Sequence, residues 1–302
     1  MSMTTPGTVP DWLVFGLSGQ VGEAFAGALA ASDPPCVAPS RQPRPPRPGV
    51  RWVLAGLGDF TAPGGRVAAI ASLGPLDAFV DWLARSPVAP ARVVVLGSTS
   101  VHGKRDSPDA AERALALALR TAELRLAALA AERGFALTVL RPTLIYGNGR
   151  DRSLSRLVAV ARRWRVLPLP ATARGLRQPV HVEDVATAVL ACLREPRPRP
   201  GFFDLPGGEA LPFDQMVVRA LAAGAPGARR LRVPAPLFRL AVRGLRLLGR
   251  APGLGEGFLA RLDQDLVYDG APARAALGHS PRGFRPGAEA FPARVAAQHQ
   301  EP

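Results

Sequence analysis

Residues Gly16 to Gly22 read Gly-Leu-Ser-Gly-Gln-Val-Gly, directly after the apolar run Trp12-Leu13-Val14-Phe15 and at the head of an alanine-rich stretch. Glycines so spaced at a strand-to-helix turn can hold a phosphate. The first permits the tight turn, the second lets the backbone approach a pyrophosphate, and the third lets the helix pack close to the strand with its first N–H groups facing the phosphates. The chemistry implied is dinucleotide binding, and a place on the first strand is the context the motif requires. Choice of dinucleotide rests on the end of the second strand. An acid there binds the adenosine ribose of NAD, and an arginine meets the 2′-phosphate of NADP. This chain has Ser40-Arg41, with Arg44 and Arg47 close by and no acid until Asp59. The expectation leans to NADP over NAD, although the same residues suit an arginine-rich surface loop.

The elements that must position this turn follow from hydropathy. Leu13–Phe15, Cys36–Ala38, Arg51–Ala55, Val67–Ala71, Arg92–Leu96 and Phe135–Leu140 read as strands, the last two as dense apolar runs typical of a buried parallel sheet. Helices fall between them over Val21–Ala31, Leu76–Ala84 and a long stretch capped by Ser107, with Pro108 in its first turn, and closed by Gly134. Strands alternating with helices predict a Rossmann-type α/β fold, a doubly wound parallel sheet with its ligand at the carboxyl ends of the strands. After Gly149 the pattern loosens. Leu154–Trp164 and Glu183–Arg194 read as helices, Pro179–Val182 and Phe202–Leu205 as short strands, and Leu211 to Pro302 as short helices among Pro/Gly loops. The expected organisation is a flexible tail over 1–10, a dinucleotide-binding domain over 11–172, and a small C-terminal substrate-binding lobe over 173–302 from which 179–205 returns to the sheet.

Four further segments carry chemistry. They read Val-Val-Val-Leu-Gly-Ser-Thr-Ser-Val-His-Gly (Val93 to Gly103), Arg-Pro-Thr-Leu-Ile-Tyr-Gly (Arg141 to Gly147), Arg-Gln-Pro-Val-His-Val-Glu-Asp-Val-Ala (Arg177 to Ala186) and Phe-Asp-Leu-Pro-Gly-Gly (Phe203 to Gly208). In this order, with the glycine turn, they resemble the NAD-dependent epimerase/dehydratase family, the extended branch of the short-chain dehydrogenases/reductases. The resemblance implies that Gly16, Ser18, Gly19, Gln20, Val21 and Gly22 bind the cofactor pyrophosphate. It implies that Ser72, Leu73 and Gly74 lie along the nicotinamide side and that Arg141, Pro142 and Thr143 line the nicotinamide pocket. Ser98 and Thr99 match its catalytic hydroxyl segment, while Arg177, His181 and Asp184 match the segment that positions the substrate lobe. His181 equally suits a packed, hydrogen-bonded histidine, and Tyr146, a candidate substrate contact, equally suits packing in the turn after Ile145.

The family's chemistry depends on a Tyr and a Lys four residues apart on the helix after the fifth strand, one face apart by a helical turn. Here that helix carries Leu115, Ala116, Leu117, Ala118, Leu119 and Arg120; the chain's two tyrosines, Tyr146 and Tyr268, and its single lysine, Lys104, lie elsewhere. Three readings follow. His102, where the family often has a tyrosine, carries the proton, with Arg120 as a fixed positive charge in place of the lysine; the chain binds a dinucleotide without catalysis; or it is a structural subunit. The first is adopted: hydride chemistry on a nucleotide-sugar-like or other hydroxyl/carbonyl substrate.

Composition narrows the partners. The formal net charge is +14, nearly all from arginine, in a chain rich in Ala, Pro and Gly, a profile of GC-rich coding. No aromatic-interleaved basic patch or zinc spacing is present, so neither nucleic acid nor a metal is expected. The charge suits nucleotide phosphates or an anionic membrane surface. Arg239, Arg243, Arg246 and Arg250 recur at helical spacing opposite an apolar stripe. Such a helix can lie on an anionic membrane, which would bring lipid-linked sugars into range. It can also cover the lobe with its arginines solvated, the reading preferred here. Cys36 and Cys192 show no disulfide or metal spacing, and with no signal pattern or bilayer-length apolar run the expectation is a cytoplasmic protein. The apolar Leu115–Leu129 helix suits either core packing or a homodimer.

Overall fold

The computed structural model describes residues 11–62, 64–151, 153–247 and 256–292, without side chains at 245–247 and 256. The expected 1–10 tail and Arg250 lie outside these residues. In chain order the strands are β1 (Trp12–Phe15), β2 (Cys36–Ser40), β3 (Val50–Leu54), β4 (Gly65–Ser72), β5 (Val88–Leu96), β6 (Ala136–Pro142), β7 (Ile145–Tyr146), β8 (Val166–Pro170), β9 (Leu176–Arg177), β10 (Val180–His181), β11 (Gly201–Leu205), β12 (Leu211–Pro212) and β13 (Arg229–Val233). The helices are α1 (Gln20–Gly27), α2 (Leu76–Arg85), α3 (Ser100–Gly103), α4 (Ala110–Arg133), α5 (Leu154–Trp164), α6 (Val182–Arg194), α7 (Phe213–Gly224), α8 (Ala235–Leu247), α9 (Glu256–Arg261) and α10 (Ala271–Leu277).

The chain divides into two compact units. The first comprises Met1–Thr143, Val182–Pro206 and Tyr268–Pro281. Its sheet has seven strands in the order β3-β2-β1-β4-β5-β6-β11, every pairing parallel. The strand order reverses between β1 and β4, and in such sheets ligands bind beyond the carboxyl ends of the strands at that switch point. The Rossmann-type α/β fold read from the sequence is therefore the fold observed. On one side the core is aromatic. Phe15 meets Phe60, Phe79 and Trp82 at ring separations of 5.7, 5.6 and 4.4 Å. The Trp82 indole N–H donates to the Phe60 carbonyl at 2.7 Å, so this buried donor is satisfied.

Several boundaries shift from expectation. β2 continues to Ser40 and is buried at all five positions despite Pro39. β5 begins at Val88 rather than Arg92. α1 stops at Gly27, where the Ala28 N–H closes onto Ala24 and Phe25, four residues short of Ala31. The cap of α4 is Asp109, whose carboxylate accepts from the Ala111 N–H at 2.9 Å. Ser107 stands two residues earlier, accepting from the Asp109 N–H and donating to Glu112. Gly134 closes α4 at φ +72° as expected. The sequence reading put the domain boundary at 172, whereas the compact units change at Thr143/Leu144, and Tyr268–Pro281 also returns to the first unit.

The second unit comprises Leu144–His181, Gly207–Val267 and Arg282–Pro302. It holds three two-stranded pairings, β7 with β10, β9 with β12, and β8 with β13. Its core gathers Tyr146, Leu154, Val158, Phe213, Met216, Phe284 and Phe291. Gly224 sits where a Cβ would come within 2.6 Å of Val158 and 2.9 Å of Phe291, so α7 packs on α5 at a distance only glycine permits.

One buried titratable group in the first unit has a thermodynamic consequence. His279, just past the Gly278 cap of α10, is buried, and its Nε2 has no hydrogen-bond partner among the described residues. Burial pulls its pKa below 6.5; the Pro206 backbone bond and Asp184 pull the other way, and Arg274 adds to the lowering. A histidine with a depressed folded pKa adds stability that is present above its unfolded pKa, about 6.5, and is lost as the pH falls below it, because the unfolded chain takes the proton first. The urea midpoint is expected to fall as pH drops below about 6.5, and His279→Gln to flatten that dependence. An unchanged slope in the variant would assign the acid sensitivity to other groups.

Candidate active site

The glycine turn is built by backbone contacts. Gly16 has φ +77°, and a Cβ there would meet Gly74 N and Leu73 C at 2.8 Å. At Gly22 a Cβ would meet Gly16 O at 2.3 Å and Leu17 O at 2.4 Å, which fixes the close approach of α1 to the end of β1. Gly19 caps α1 in extended conformation and brings no side-chain oxygen to the first-turn N–H groups. Its own N–H bonds Gly16 O at 2.9 Å. Ser72, Leu73 and Gly74 lie beside this turn at the carboxyl end of β4, where the Leu73 N–H bonds Phe15 O and the buried Ser72 Oγ has no partner among the described residues. An uncapped helix start, a left-handed glycine against the neighbouring strand end, and an orphaned hydroxyl fit a dinucleotide pyrophosphate.

At the carboxyl end of β5 the expected hydroxyls have different fates. Thr99 is buried and donates to the Pro142 carbonyl at 3.3 Å, so its hydroxyl holds β5 to β6. Ser98 is half-buried, and its Oγ accepts from the Ser100 N–H at 3.1 Å, starting α3. That short helix carries His102.

His102 belongs to an ionic cluster. Its Nε2 is 3.4 Å from Asp204 Oδ1 on β11 and 3.4 Å from Arg141 Nη1 on β6. Arg141 makes a two-pronged bond to Glu123 of α4, at 2.8 and 2.6 Å, and lies 5.0 Å over the Phe202 ring. Gly97 leaves the room: a Cβ there would stand 3.0 Å from Glu123 and 3.4 Å from Arg141. Burial opposes the Arg141 charge, but the Glu123 hydrogen bonds and the charges of Glu123 and Asp204 outweigh it and hold its pKa above the ordinary arginine value. The His102 nitrogen thus faces both Arg141 and Asp204, and Asp204 Oδ1 is buried with no hydrogen bond of its own among the described residues. Tyr268 joins this end of the sheet. Its hydroxyl donates to the Thr99 carbonyl at 3.4 Å and its ring is 6.0 Å from that of His102.

Sequence reasoning named His102, Ser98 and Arg141 here but missed Glu123, Asp204 and Tyr268. Asp204 stood in a quoted segment without a role, and Glu123 was visible only as an acid in an alanine–leucine helix. Tyr268 is far along the chain, and only the fold brings it back. Arg120 is exposed on α4 and has no part in this cluster; the cation beside His102 is Arg141.

The expected substrate contacts of the second unit are packed. Arg177 is buried; it donates to the carbonyls of Leu176, Gln264 and Arg261 and lies 5.5 Å over Phe213, so it binds the 261–264 segment. Tyr146 is 1% exposed, wedged between His181 and Phe284 at 5.0 and 4.8 Å. His181 is half-buried against it, the packed alternative read from the sequence. Burial pushes the Cys36 thiol up to about 11 and the Cys192 thiol up to about 12, which leaves neither a thiolate nucleophile. Among the described residues no group of three or more His, Cys, Asp or Glu side chains is arranged to hold a metal ion, and no helix is long and apolar enough to cross a membrane.

Glu123→Ala strands the Arg141 guanidinium and is expected to cost roughly 3–5 kcal/mol by urea unfolding. Glu123→Gln should cost less. A loss below about 1 kcal/mol would mean that the pair behaves as a solvated surface bridge.

The comparisons with known proteins agree with this geometry. Residues 73–203 match the NAD dependent epimerase/dehydratase family. A UDP-glucose 4-epimerase of Vibrio cholerae is 24% identical over 215 residues, 66% of this chain and 63% of that protein's length, so the match spans less than two thirds of the relative. Among solved structures, MoeE5 in complex with UDP-glucuronic acid and NAD superposes with a TM-score of 0.67 at 20% identity, covering 93% of this chain and 97% of its own. The NAD-dependent NDP-hexosamine 5,6-dehydratase TunA superposes with a TM-score of 0.64 at 17% identity, covering 93% and 94%. At such identities the superpositions establish the fold. Residues 73–203 thus match the NAD-dependent epimerase/dehydratase family, and the whole chain shares the fold of the solved structures named above.

Proposed function

We propose that this chain is a nicotinamide-dinucleotide-dependent enzyme acting on a hydroxyl or carbonyl of a nucleotide-sugar-like or lipid-linked sugar substrate, as an epimerase, dehydratase or reductase in which other groups replace the Tyr–Lys pair. The observation that carries the reading is the joining of His102, Asp204, Arg141 and Tyr268 at the carboxyl ends of β5, β6 and β11. Gly16, Ser18, Gly19, Gln20, Val21 and Gly22 would hold the dinucleotide's pyrophosphate, with Ser72, Leu73, Gly74, Arg141, Pro142 and Thr143 toward the nicotinamide. When bound, that group supplies hydride exchange at the substrate carbon.

The chain's own residues must handle the proton of the substrate oxygen. Ser98 orients that oxygen, and His102 Nε2 or Tyr268 Oη accepts and returns its proton. Asp204 steadies the imidazolium, and Arg141 is the fixed cation. The second strand ends in Ser40, whose Oγ donates to the Gln42 carbonyl and accepts from Arg44 Nε at 3.3 Å. Arg41 is exposed beside it and supports a preference for NADP, and the Asp59 carboxylate comes near Arg41 at Gly56, where a Cβ would stand 3.1 Å from Asp59 Oδ2 and 3.7 Å from Arg41 Cγ. The bare Leu115–Leu119 segment of α4 favours a second reading, a dinucleotide-binding protein without catalysis. Exposed Leu117 and Leu124, two turns apart on α4, give the expected homodimer a face.

Tryptophan fluorescence during titration with NAD, NADH, NADP and NADPH separates these readings. Saturable binding, tighter for the phosphorylated pair and losing that preference by about tenfold or more in Arg41→Ala, is the expected result. His102→Ala and Tyr268→Phe should each lower turnover by roughly 10²–10⁴-fold with cofactor affinity retained. Binding without turnover on any sugar nucleotide supports the non-catalytic reading, and no binding of the four dinucleotides overturns both.

A further inference from the structure

The net charge is divided unequally between the two units. The segments of the second unit hold 20 arginines against eight Asp and Glu, a net of +12, whereas the first unit holds 18 basic residues against 16 acids, a net of +2. Coding bias alone would enrich arginine in both units alike, whereas the excess lies in the arginines of the second. A charge imbalance of this kind points to an acidic partner of the second unit.

Helix α8 shows which kind. Phe238 and Val242 are its buried residues among those described, and Phe238 and the stem of Arg239 line a small cavity with Pro170, Leu259, Leu262 and Asp263. This inward stripe is the one that covers the lobe. A different apolar stripe faces out: Leu237 is 57% and Leu240 68% exposed, and Ala241 and Gly244 complete the i, i+3, i+4, i+7 spacing of a single helical face. Exposed Arg239 and Arg243 run along its flank. The adjoining strand continues the composition. On β13, Arg229 and Leu231 are both exposed, and their register partners on β8 are Val166 and Pro168, also exposed. Arg230 and Arg232 are instead engaged by Asp214. α8 is therefore divided into three sectors, one buried, one basic and one apolar in water. The sequence reading, which had the apolar stripe covering the lobe and only the arginines solvated, accounts for the first two.

We propose that α8 and β13 of the second unit dock on an anionic lipid surface, with Leu237 and Leu240 entering the acyl boundary and Arg239, Arg243 and Arg229 meeting the headgroup phosphates. A helix with leucines on one side and arginines beside them is the form that lies in a membrane interface. Nucleic acid would meet the arginines but has no use for exposed leucines. A second copy offering the same face would bring a like charge against it. The proposal does not depend on the catalytic reading above.

The test is sedimentation of the full chain with vesicles of phosphatidylcholine alone and with vesicles that also contain phosphatidylglycerol. Binding to the anionic vesicles only, weakened by salt, is expected. Leu237→Ser/Leu240→Ser and Arg239→Glu/Arg243→Glu should each reduce the partition coefficient by about tenfold or more, with thermal melting and dinucleotide binding unchanged. Failure to bind, or equal binding to both vesicle types, overturns the proposal. So does anionic binding indifferent to the leucine pair, since simple charge attraction would then suffice. Tighter retention of a single-stranded oligonucleotide, or a concentration-dependent dimer abolished by the leucine changes, would reassign the face to nucleic acid or to a second copy and equally overturn it.

Discussion

The first unit is organised around a backbone-to-backbone approach that admits no side chain. Gly22 of α1 lies so close to the turn after β1 that a single added carbon would fall 2.3 Å from the Gly16 carbonyl, and Gly16 itself presses on Leu73 and Gly74 beyond β4. Three elements thus meet where the sheet order reverses. The approach draws the start of α1 down to the strand ends, and the absence of side chains there leaves N–H groups rather than carbon facing the place where a phosphate would sit. The buried apolar strands and the Phe15–Phe60–Phe79–Trp82 cluster hold this junction from below, so core packing and the candidate cofactor site share one constraint.

What the residues alone revealed follows the range of the forces involved. The glycine turn, the apolar runs of β5 and β6 and the left-handed stop at Gly134 are local, and each was legible. The end of β2 was misjudged because Pro39 suggests an interruption, although proline's fixed φ is compatible with an extended strand. The cap of α4 was assigned to Ser107 instead of Asp109 because several capping residues stand in a row and only the hydrogen bonds choose between them. The tertiary pairings were out of reach. Arg177 looks like a substrate contact until the carbonyls of Leu176, Arg261 and Gln264 are seen to occupy its guanidinium. Tyr268 carries no local signal at all, because its only distinction is the strand end to which the chain returns it.

Without the Tyr–Lys pair, the proposed chemistry would have to be done by other groups. In the family pattern a lysine lowers a phenol's pKa from one helical turn away. Here α4 contributes Glu123, which ties down Arg141, and a cation so committed has no proton to exchange. The groups at this strand end whose chemistry allows proton exchange are the His102 imidazole, beside Arg141 and Asp204, and the phenol of Tyr268 nearby. On the proposed reading, the acid–base work would pass from one helix to residues drawn from α3, β11 and the returning 268–281 segment. Such a site depends on tertiary order more than a helical pair does, because no single element fixes the spacing of its groups.

The uneven charge bears on why the second unit is built as it is. The buried Arg177 is solvated by carbonyl dipoles, and Arg230 and Arg232 share the single Asp214 carboxylate, so these contribute to internal order. Arg229 and Arg239 are exposed, beside the exposed leucines Leu231, Leu237 and Leu240. Twelve uncompensated charges on one unit repel one another, and that repulsion weakens the compact state unless an external anion relieves it. A fold that carried this excess only as a by-product of arginine-rich coding would spread it over both units. Its confinement to one, together with apolar residues at helical spacing on the same segment, makes the excess a feature of a surface rather than of the composition.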